Sequence, residues 1–233
     1  MSRRLCVILT LGWCVAAAPA WAQGWYGADH NLRLRVGGFE PEGDSEYWRD
    51  KEADFTGEAS DLQDVSVGLE YRVDLTRNFG LLFAGSLYEG ETGQRYLDFE
   101  DEAGDDIRHI TRLEIASATV GGVFHFAGPE AAIRPYVGAG GGIYSWRLEE
   151  DGDFIDFTPP PPVIFDALLE SSGTAFGYYL QGGFEVPIGR RWAFFAEGRW
   201  QRVEDDLEDD FEDDFGKIDL SGSDLGAGLS VRF

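Results

Sequence analysis

Strict alternation of apolar and polar residues is the feature of this 233-residue chain that most restricts its fold. A side-chain period of two is the period of a β-strand, because successive side chains point to opposite faces. No segment requires a helix. The alternating segments are 31–39, 64–73, 79–89, 108–126, 132–148, 174–186, 192–203 and 218–233. The sequence therefore predicts an all-β protein built from eight strands.

The connections between these segments also alternate, in length. The long ones are 40–63, 90–107, 149–173 and 204–217, and the short ones are 74–78, 127–131 and 187–191. An even number of antiparallel strands, with short turns at one end and long loops at the other, is typical of bacterial transmembrane barrels. The pattern predicts an eight-stranded antiparallel up-and-down transmembrane β-barrel with extracellular long loops.

Each predicted strand has one apolar face and one polar face. The apolar face includes Leu32, Leu34 and Val36 in the first segment. The polar face carries near-balanced charges, joined by Gln181, Gln201, Asp224 and Arg232. Its other charged members are Arg33, Arg35, Glu70, Arg72, Glu114, Arg134, Glu185, Glu197 and Arg199. The fourth segment is less regular, because Phe124 and Phe126 share the phase of Glu114.

Alternation alone does not decide which face points inward, since a soluble lipocalin-type barrel would expose its charges. Aromatic residues gather near both ends of the segments, as interfacial girdles require. One predicted girdle contains Phe79, Phe184, Trp192, Phe194 and Phe233, and the other contains Tyr88, Tyr144, Trp146, Phe176, Tyr178 and Trp200. A lipid-facing Arg or Lys at the membrane midplane costs about 2–4 kcal/mol. We therefore expect the charges to fill the narrow lumen of eight strands as a paired structural network.

The start of the chain has the pattern of a signal peptide. Arg3 and Arg4 precede an apolar run, and Ala20-Trp21-Ala22 matches a cleavage site. The predicted division is a signal peptide at 1–22 and a barrel domain at 23–233. Both cysteines, Cys6 and Cys14, fall in the signal peptide, so no disulfide is expected. The large Trp13 argues against acylation of Cys14.

Three stretches carry a family resemblance: PYVGAGGGIY from Pro135 to Tyr144, FEVPIGRRWAFFAEGRW from Phe184 to Trp200, and the C-terminal LGAGLSVRF. With them the chain resembles the small outer-membrane β-barrel proteins of the OmpA, OmpX and OmpW type. The resemblance implies a monomer in the outer membrane, surrounded by lipid and lipopolysaccharide. It also implies roles that range from anchoring and adhesion to complement resistance and passage of small molecules. The glycines at 138, 140, 141 and 142 indicate close packing in a barrel rather than a nucleotide loop, because no helix follows them.

An enzyme on this scaffold is the third alternative, since some eight-stranded barrels modify lipid A with His, Ser and an acid. The histidines here are His30, His109 and His125, and none is followed by a serine two residues later. We expect His30 and His125 at the periplasmic rim and His109 at the outer one. The sequence favours a non-enzymatic surface or envelope protein without a cofactor, and the main alternative is a narrow porin-like channel.

Acidity is concentrated in the predicted extracellular loops. The net charge is -24, or -26 without Arg3 and Arg4, and the four long loops together carry -28. Such a chain is a poor nucleic-acid binder. The last loop contains the repeat EDDLEDDFEDDF, whose carboxylates are Glu204, Asp205, Asp206, Glu208, Asp209, Asp210, Glu212, Asp213 and Asp214. We expect this repeat to be extended or mobile and to bind Ca²⁺ or Mg²⁺ weakly. A solvated acidic coat is the alternative, because no EF-hand spacing is present.

Overall fold

A computed structural model describes residues 29–101, 103–157, 161–207, 211 and 216–233. The predicted signal peptide and cleavage site therefore lie outside the described residues. Ten strands are present: β1 (Asp29–Pro41), β2 (Asp64–Asp74), β3 (Phe79–Glu100), β4 (Asp106–His125), β5 (Arg134–Asp156), β6 (Val163–Ile188), β7 (Trp192–Arg202), β8 (Glu204–Asp206), β9 (Lys217–Asp219) and β10 (Gly222–Arg232). One α-helix, α1 (Glu46–Asp54), and a 3₁₀ helix, Ala59–Leu62, lie between β1 and β2.

Eight of the strands close into an antiparallel barrel in the order β1-β10-β7-β6-β5-β4-β3-β2. The first and last strands complete the ring, with Asn31 opposite Arg232 and Pro41 opposite Gly222. The other neighbours in the ring follow one another along the chain, except that β8 and β9, which form a separate two-stranded sheet, come between β7 and β10. The predicted eight-stranded antiparallel barrel is confirmed.

The outer surface of the barrel carries a band of apolar side chains. The height of this band is that of the membrane-spanning part of each strand. Leu225 and Phe176 on this surface are each 75% exposed, and Leu34 is 60% exposed. The band consists of the outward side chains of 32–36, 65–73, 79–87, 116–126, 135–143, 176–188, 192–200 and 225–231. Apolar side chains in water would be unfavourable over such an area. The band therefore identifies the segments that face lipid. Among the described residues, no helix is long and apolar enough to cross a membrane.

The glycines of β4 and β5 make room for a lumen side chain. A Cβ atom at Gly121 would collide with the Tyr179 hydroxyl, and one at Gly140 would lie 2.7 Å from Cε1 of the same ring. Tyr179 is 1% exposed and fills the lumen at this height. Close packing, rather than a nucleotide loop, is the role of these glycines.

Strands β3 to β6 continue far beyond the apolar band, so two of the predicted long loops are wrong. Residues 90–107 and 149–173 lie mostly in strand, with Glu91 opposite Arg112 and Glu150 opposite Leu169. The acidic run after Leu148 concealed this continuation. Its outward carboxylates face water, while the inward Glu150 is paired in the interior. We call the part of β3 to β6 above the band the extracellular extension.

A folded cap closes the extracellular end of the barrel, and it contains the helix that the sequence prediction missed. Ser45 caps α1, its hydroxyl accepting a hydrogen bond from the Trp48 amide. Tyr47, Trp48 and Lys51 form the buried side of α1. Only three buried positions in a short acidic segment leave a weak helical pattern, which explains the missed helix.

An apolar core joins this cap to the extension. Trp48 is 1% exposed, and its indole nitrogen donates to the Asp219 carbonyl oxygen at 3.1 Å. The other core side chains come from β1, the 3₁₀ helix, strands β3 to β6 and the segment around β8 and β9. They include Phe39, Leu62, Leu113, Ile115, Tyr144, Trp146, Leu148, Val203, Leu207, Phe211, Ile218 and Leu220. Tyr88, Tyr144 and Trp146 therefore belong to this core and not to an interfacial girdle, which corrects the predicted outer girdle.

Candidate functional site

Most of the predicted polar network faces the barrel interior. Eight of its nine members are buried there: Arg33, Arg35, Glu70, Arg72, Arg134, Glu185, Glu197 and Arg199. The ninth, Glu114, is exposed on the outside, because its neighbours Leu113 and Ile115 point inward. Glu114 lies just above the apolar band, opposite Arg147 on the neighbouring strand. Water can solvate its charge at this height. The placement of Glu114 in the lumen was wrong.

Arg33 occupies the centre of the network. It is fully buried, with Glu70 Oε2 at 2.6 Å from Nη1 and Glu197 Oε2 at 3.1 Å from Nη2. The same Nη2 donates to the Tyr136 hydroxyl at 2.7 Å, and the guanidinium lies 3.8 Å from the centre of the Phe195 ring. Charge pairing and the ring face together replace the water that this cation lost.

The extracellular side of the network is held by Arg35 and Arg199. Arg35 pairs with Asp224 through both terminal nitrogens and places Nε 3.1 Å from Glu197 Oε1. Arg199 Nη2 donates to Glu70 and to Gln181, each at 2.9 Å. These contacts join β1, β2, β6, β7 and β10 across the lumen.

The periplasmic side is held by Arg72 and Arg134, which share Glu185. Arg72 Nη1 donates to Glu185 Oε2 at 2.8 Å, and Arg134 Nη1 donates to Glu185 Oε1 at 3.2 Å. Asp74 adds a second carboxylate, 2.9 Å from Arg72 Nε. Across the network five arginines face five carboxylates, so its formal charge is zero. Its members are Arg33, Arg35, Arg72, Arg134, Arg199, Glu70, Asp74, Glu185, Glu197 and Asp224.

Sequence reasoning did not find the aromatic members of this network. Tyr136 and Phe195 have the inward phase of Arg134 and Glu197, two residues away in each strand. Tyr136 also donates its hydroxyl to Glu197 Oε2 at 2.6 Å. Their position in the alternation of each strand identifies Tyr136 and Phe195 as inward-facing. They were overlooked because aromatic residues in a barrel suggest the lipid face.

A second buried polar cluster lies in the cap, between α1 and the extension. Lys51 Nζ lies 2.8 Å from Glu150 Oε1, 2.8 Å from His109 Nε2 and 4.3 Å from the centre of the Phe55 ring. The Tyr47 hydroxyl donates to the same Glu150 oxygen. An ammonium group can only donate, so its contact places the lone pair of a neutral His109 on Nε2. Gln94 Oε1 lies 3.1 Å from the same nitrogen and receives no proton from it in this tautomer.

The electrostatics of this cluster follow from its burial. Burial lowers the pKa of Lys51, against the opposing effect of the Glu150 carboxylate. Burial, together with the neighbouring Lys51 ammonium, lowers the pKa of His109 to about 4. Burial raises the pKa of Tyr47 well above its ordinary value, and Glu150 acts in the same direction. Neutral Tyr47 and neutral His109 therefore hold the ion pair between Lys51 and Glu150.

The three histidines lie at two levels of the barrel. His30 and His125 face inward at the periplasmic end, whereas His109 lies in the extension. His30 Nδ1 lies 2.6 Å from the Tyr71 hydroxyl, and His125 packs against Tyr136. Each histidine is buried among aromatic or charged neighbours. In the part of the chain that the structure describes, none of the three forms a hydrogen bond with a serine side chain.

The acidic repeat is only partly described, and two of its described carboxylates are engaged. Glu204 accepts from Arg202 at 2.5 Å, and Asp205 accepts from the Trp146 indole at 2.7 Å. Asp206 lies opposite Lys217 in the β8–β9 ladder. Glu208, Asp209, Asp210, Glu212, Asp213 and Asp214 lie outside the described residues. Within the described ranges, no three His, Cys, Asp or Glu side chains are arranged to hold a metal ion.

Cation binding by the repeat stays a prediction. Leu207 and Phe211 are 4% and 3% exposed in the cap core, so deleting the repeat would damage the cap. Replacing its six remaining carboxylates at 208–214 by amides keeps both anchors. We expect Ca²⁺ to bind the parent protein with a Kd of about 10⁻⁴ to 10⁻³ M. Calorimetric titration checks this, and equal heats from parent and amide variant would leave the repeat as an acidic coat.

Comparisons with known proteins identify the architecture. The model of the outer membrane protein beta-barrel domain family matches residues 6–233. No curated protein matches the chain. The outer membrane protein OprG from Pseudomonas aeruginosa is similar in structure, with a TM-score of 0.52 and 12% identity over 91% of this chain and 98% of that chain.

Two other solved structures show the same fold. Neisserial surface protein A has a TM-score of 0.51 and 12% identity, covering 89% of this chain and 99% of its own. A major outer membrane protein from Thermus thermophilus has a TM-score of 0.50 and 10% identity, covering 89% and 100%. At such low identity these likenesses concern the fold.

Proposed function

Since the chain belongs to the outer membrane protein beta-barrel domain family and therefore lies in the outer membrane, we propose that it is a non-enzymatic, non-conducting surface protein. Its barrel anchors the extracellular extension in the bilayer as a monomer, next to lipopolysaccharide. We also propose that residues 1–22 are removed on export, so that the mature chain begins at Gln23. Mass spectrometry of protein extracted from the outer membrane measures the cleavage position.

The observation that carries this proposal is the continuous filling of the lumen. The ion-paired network extends from Arg72 and Glu185 at the periplasmic end to Arg35 and Asp224 below the cap. The apolar core of the cap begins directly above it, with Phe39 and Tyr88 in edge-to-face contact at 4.8 Å. An ion crossing this barrel would have to break buried ion pairs and then enter an apolar core, and both steps are costly.

Conductance in planar bilayers tests the proposal against the channel alternative. We expect no steady ion-selective openings from the purified protein, since a crossing ion would have to break the buried ion pairs of the network. A variant with Arg33→Ser and Glu70→Ser removes both charges of one central pair and serves as the reference for a weakened seal. Steady openings of the parent protein would overturn the non-conducting function.

The contacts of the residues that could act in catalysis support the absence of enzymatic activity. His109 contacts Lys51, and Glu150 contacts Lys51 and Tyr47, and all four side chains are buried in the cap. A hydrolase would need such groups free and next to an accessible substrate cavity. Incubation with lipid A, followed by mass spectrometry of the lipid, tests this part, and loss or gain of an acyl chain would contradict it.

A further inference from the structure

The tips of the extracellular extension carry a group of exposed apolar side chains far from the lipid. Leu97 and Phe99 lie near the end of β3, and Phe157 follows β5. About twelve residues separate Leu87, the last outward apolar residue of the band in β3, from Phe99. This corresponds to roughly 40 Å of strand, or about 28 Å of height at the tilt of a barrel strand. The tips therefore stand well above the hydrocarbon layer.

We call these exposed apolar side chains at the two tips the tip patch. It consists of Leu97, Phe99, Phe157, Val163, Ile164 and Phe165, each between 40% and 57% exposed. Phe99 and Phe157 join the two hairpins, with ring centres 5.1 Å apart. Exposed apolar side chains gathered on a part of the protein that faces water are typical of an interaction site.

The tip patch is anchored to the buried part of the cap. The Phe165 ring packs against Phe154 at 6.2 Å, and Phe154 is stacked on His109 at 5.3 Å. On the other hairpin, Phe99 contacts Tyr96, whose ring lies 4.3 Å from that of Phe55. The exposed rings are thus held in place by the buried Phe154 and the half-buried Tyr96, so little ordering is needed when a partner binds.

The surroundings of the tip patch are acidic. A cleft of about 410 Å³ beside Phe99 is lined by Leu97, Asp98, Glu100 and Asp106, together with Arg95. Asp106 is already neutralised, because it accepts from Arg95 at 3.0 Å and from Arg108 at 2.7 Å. Hydrogen bonds from these two guanidinium groups lower the pKa of Asp106. Neither Asp98 nor Glu100 forms an ion pair with a described residue, so the cleft keeps uncompensated negative charge.

This combination selects the chemistry of the occupant. Phosphate groups of lipopolysaccharide would be repelled by the acidic surroundings, and acyl chains lie too far below the tips. An apolar and aromatic surface beside free carboxylates matches a chain segment with alternating basic and apolar side chains.

We propose that the tip patch and its acidic cleft bind a cationic amphipathic segment of a protein partner. The partner's apolar side chains contact Phe99, Phe157 and Phe165. Its Lys or Arg side chains enter the cleft beside Asp98 and Glu100. This assignment rests on the proposed function, in which the barrel serves to hold the extension above the membrane.

Binding of synthetic peptides to the full-length mature protein tests the assignment. The protein is placed in nanodiscs of zwitterionic lipid, with empty nanodiscs as the blank, and fluorescence anisotropy measures binding. The probe is a labelled twelve-residue peptide of alternating Arg and Leu or Phe. Sister peptides replace Arg by Glu, Arg by Gln, or the apolar residues by Ser. We expect the Arg and apolar peptide to bind at least tenfold more tightly than each sister, and weaker binding at high salt.

Two variants locate the site. Phe99→Ser with Phe157→Ser, and separately Asp98→Asn with Glu100→Gln, should each weaken binding at least tenfold. Ile110→Ser is the matched apolar control, because Ile110 is 43% exposed on the same extension but outside the tip patch. Glu40→Gln on β1 is the matched charge control. Both controls should bind as the parent does.

The outcomes separate this assignment from the proposed function. Equal binding of all four peptides, or unchanged binding by both tip variants, would overturn the tip assignment while the conductance result still stands. Conversely, a conducting barrel that binds the Arg and apolar peptide through the tips would overturn the sealed barrel alone. A shift in gel mobility on boiling, equal in all variants, shows that each barrel is folded.

Discussion

Replacing Glu197 by alanine is expected to lower the free energy of unfolding by about 3–5 kcal/mol, because the substitution leaves buried cations without a partner. The Glu197 side chain is fully buried. Its Oε2 accepts from Arg33 Nη2 at 3.1 Å and from the Tyr136 hydroxyl at 2.6 Å, and its Oε1 lies 3.1 Å from Arg35 Nε. The alanine variant therefore removes one anion that serves two arginines.

Reversible urea unfolding in phospholipid vesicles, followed by tryptophan fluorescence, measures this loss. Glu89→Ala is the control, since Glu89 is half exposed above the band and lies 3.9 Å from Arg112. An exposed pair of this kind contributes at most about 1 kcal/mol. A loss under about half a kcal/mol for Glu197→Ala would show that water enters the lumen and solvates the two arginines.

The membrane-spanning part of this fold was predictable from the sequence, because one physical rule governs every residue in it. Each strand must place apolar side chains toward lipid and polar ones toward the lumen, so the period of two is visible in the sequence. Leu34 and Val36 point outward, and Arg33 and Arg35 point inward. The phase was misread at Glu114, which lies above the band, where an outward charge costs nothing.

The extracellular part was not predictable, because its rules are those of a soluble domain. Outward carboxylates of β5 are solvated there, so the acidic run after Leu148 does not end the strand. Glu150 faces inward and is compensated by Lys51, which comes from a helix about a hundred residues earlier in the chain. Such a pairing depends on tertiary contact, and a single sequence contains no local sign of it.

The acidic repeat is a second segment whose tertiary contacts were not predictable from the sequence. Repulsion among its carboxylates predicts an extended or mobile segment. Leu207 and Phe211 instead lie in the apolar core of the cap. Their burial removes apolar area from water, which offsets repulsion among the carboxylates of the repeat. The spacing of the apolar residues was the useful signal, and the charge obscured it.

Acidification is expected to open the cap, because His109 is held neutral beside the Lys51 ammonium. The pKa of His109 is about 4 in the folded protein and 6.5 without these surroundings. The folded state thus binds the proton more weakly than the open state. The stabilisation is complete above pH 6.5 and is lost as the pH falls from 6.5 to about 4. A shift of this size corresponds to roughly 3 kcal/mol of cap stability.

Hydrogen exchange of the α1 amides at a series of pH values measures the free energy of cap opening, corrected for the intrinsic exchange rate. His109→Gln is the matched variant, since its amide oxygen accepts from Lys51 but does not titrate. The two proteins differ only at position 109, so the difference between the two profiles reports the effect of a titrating group at this position. We expect the parent protein to lose its α1 protection between pH 6.5 and 4 more steeply than the variant. Parallel profiles would show that the contact between Lys51 and His109 does not govern the closure of the cap.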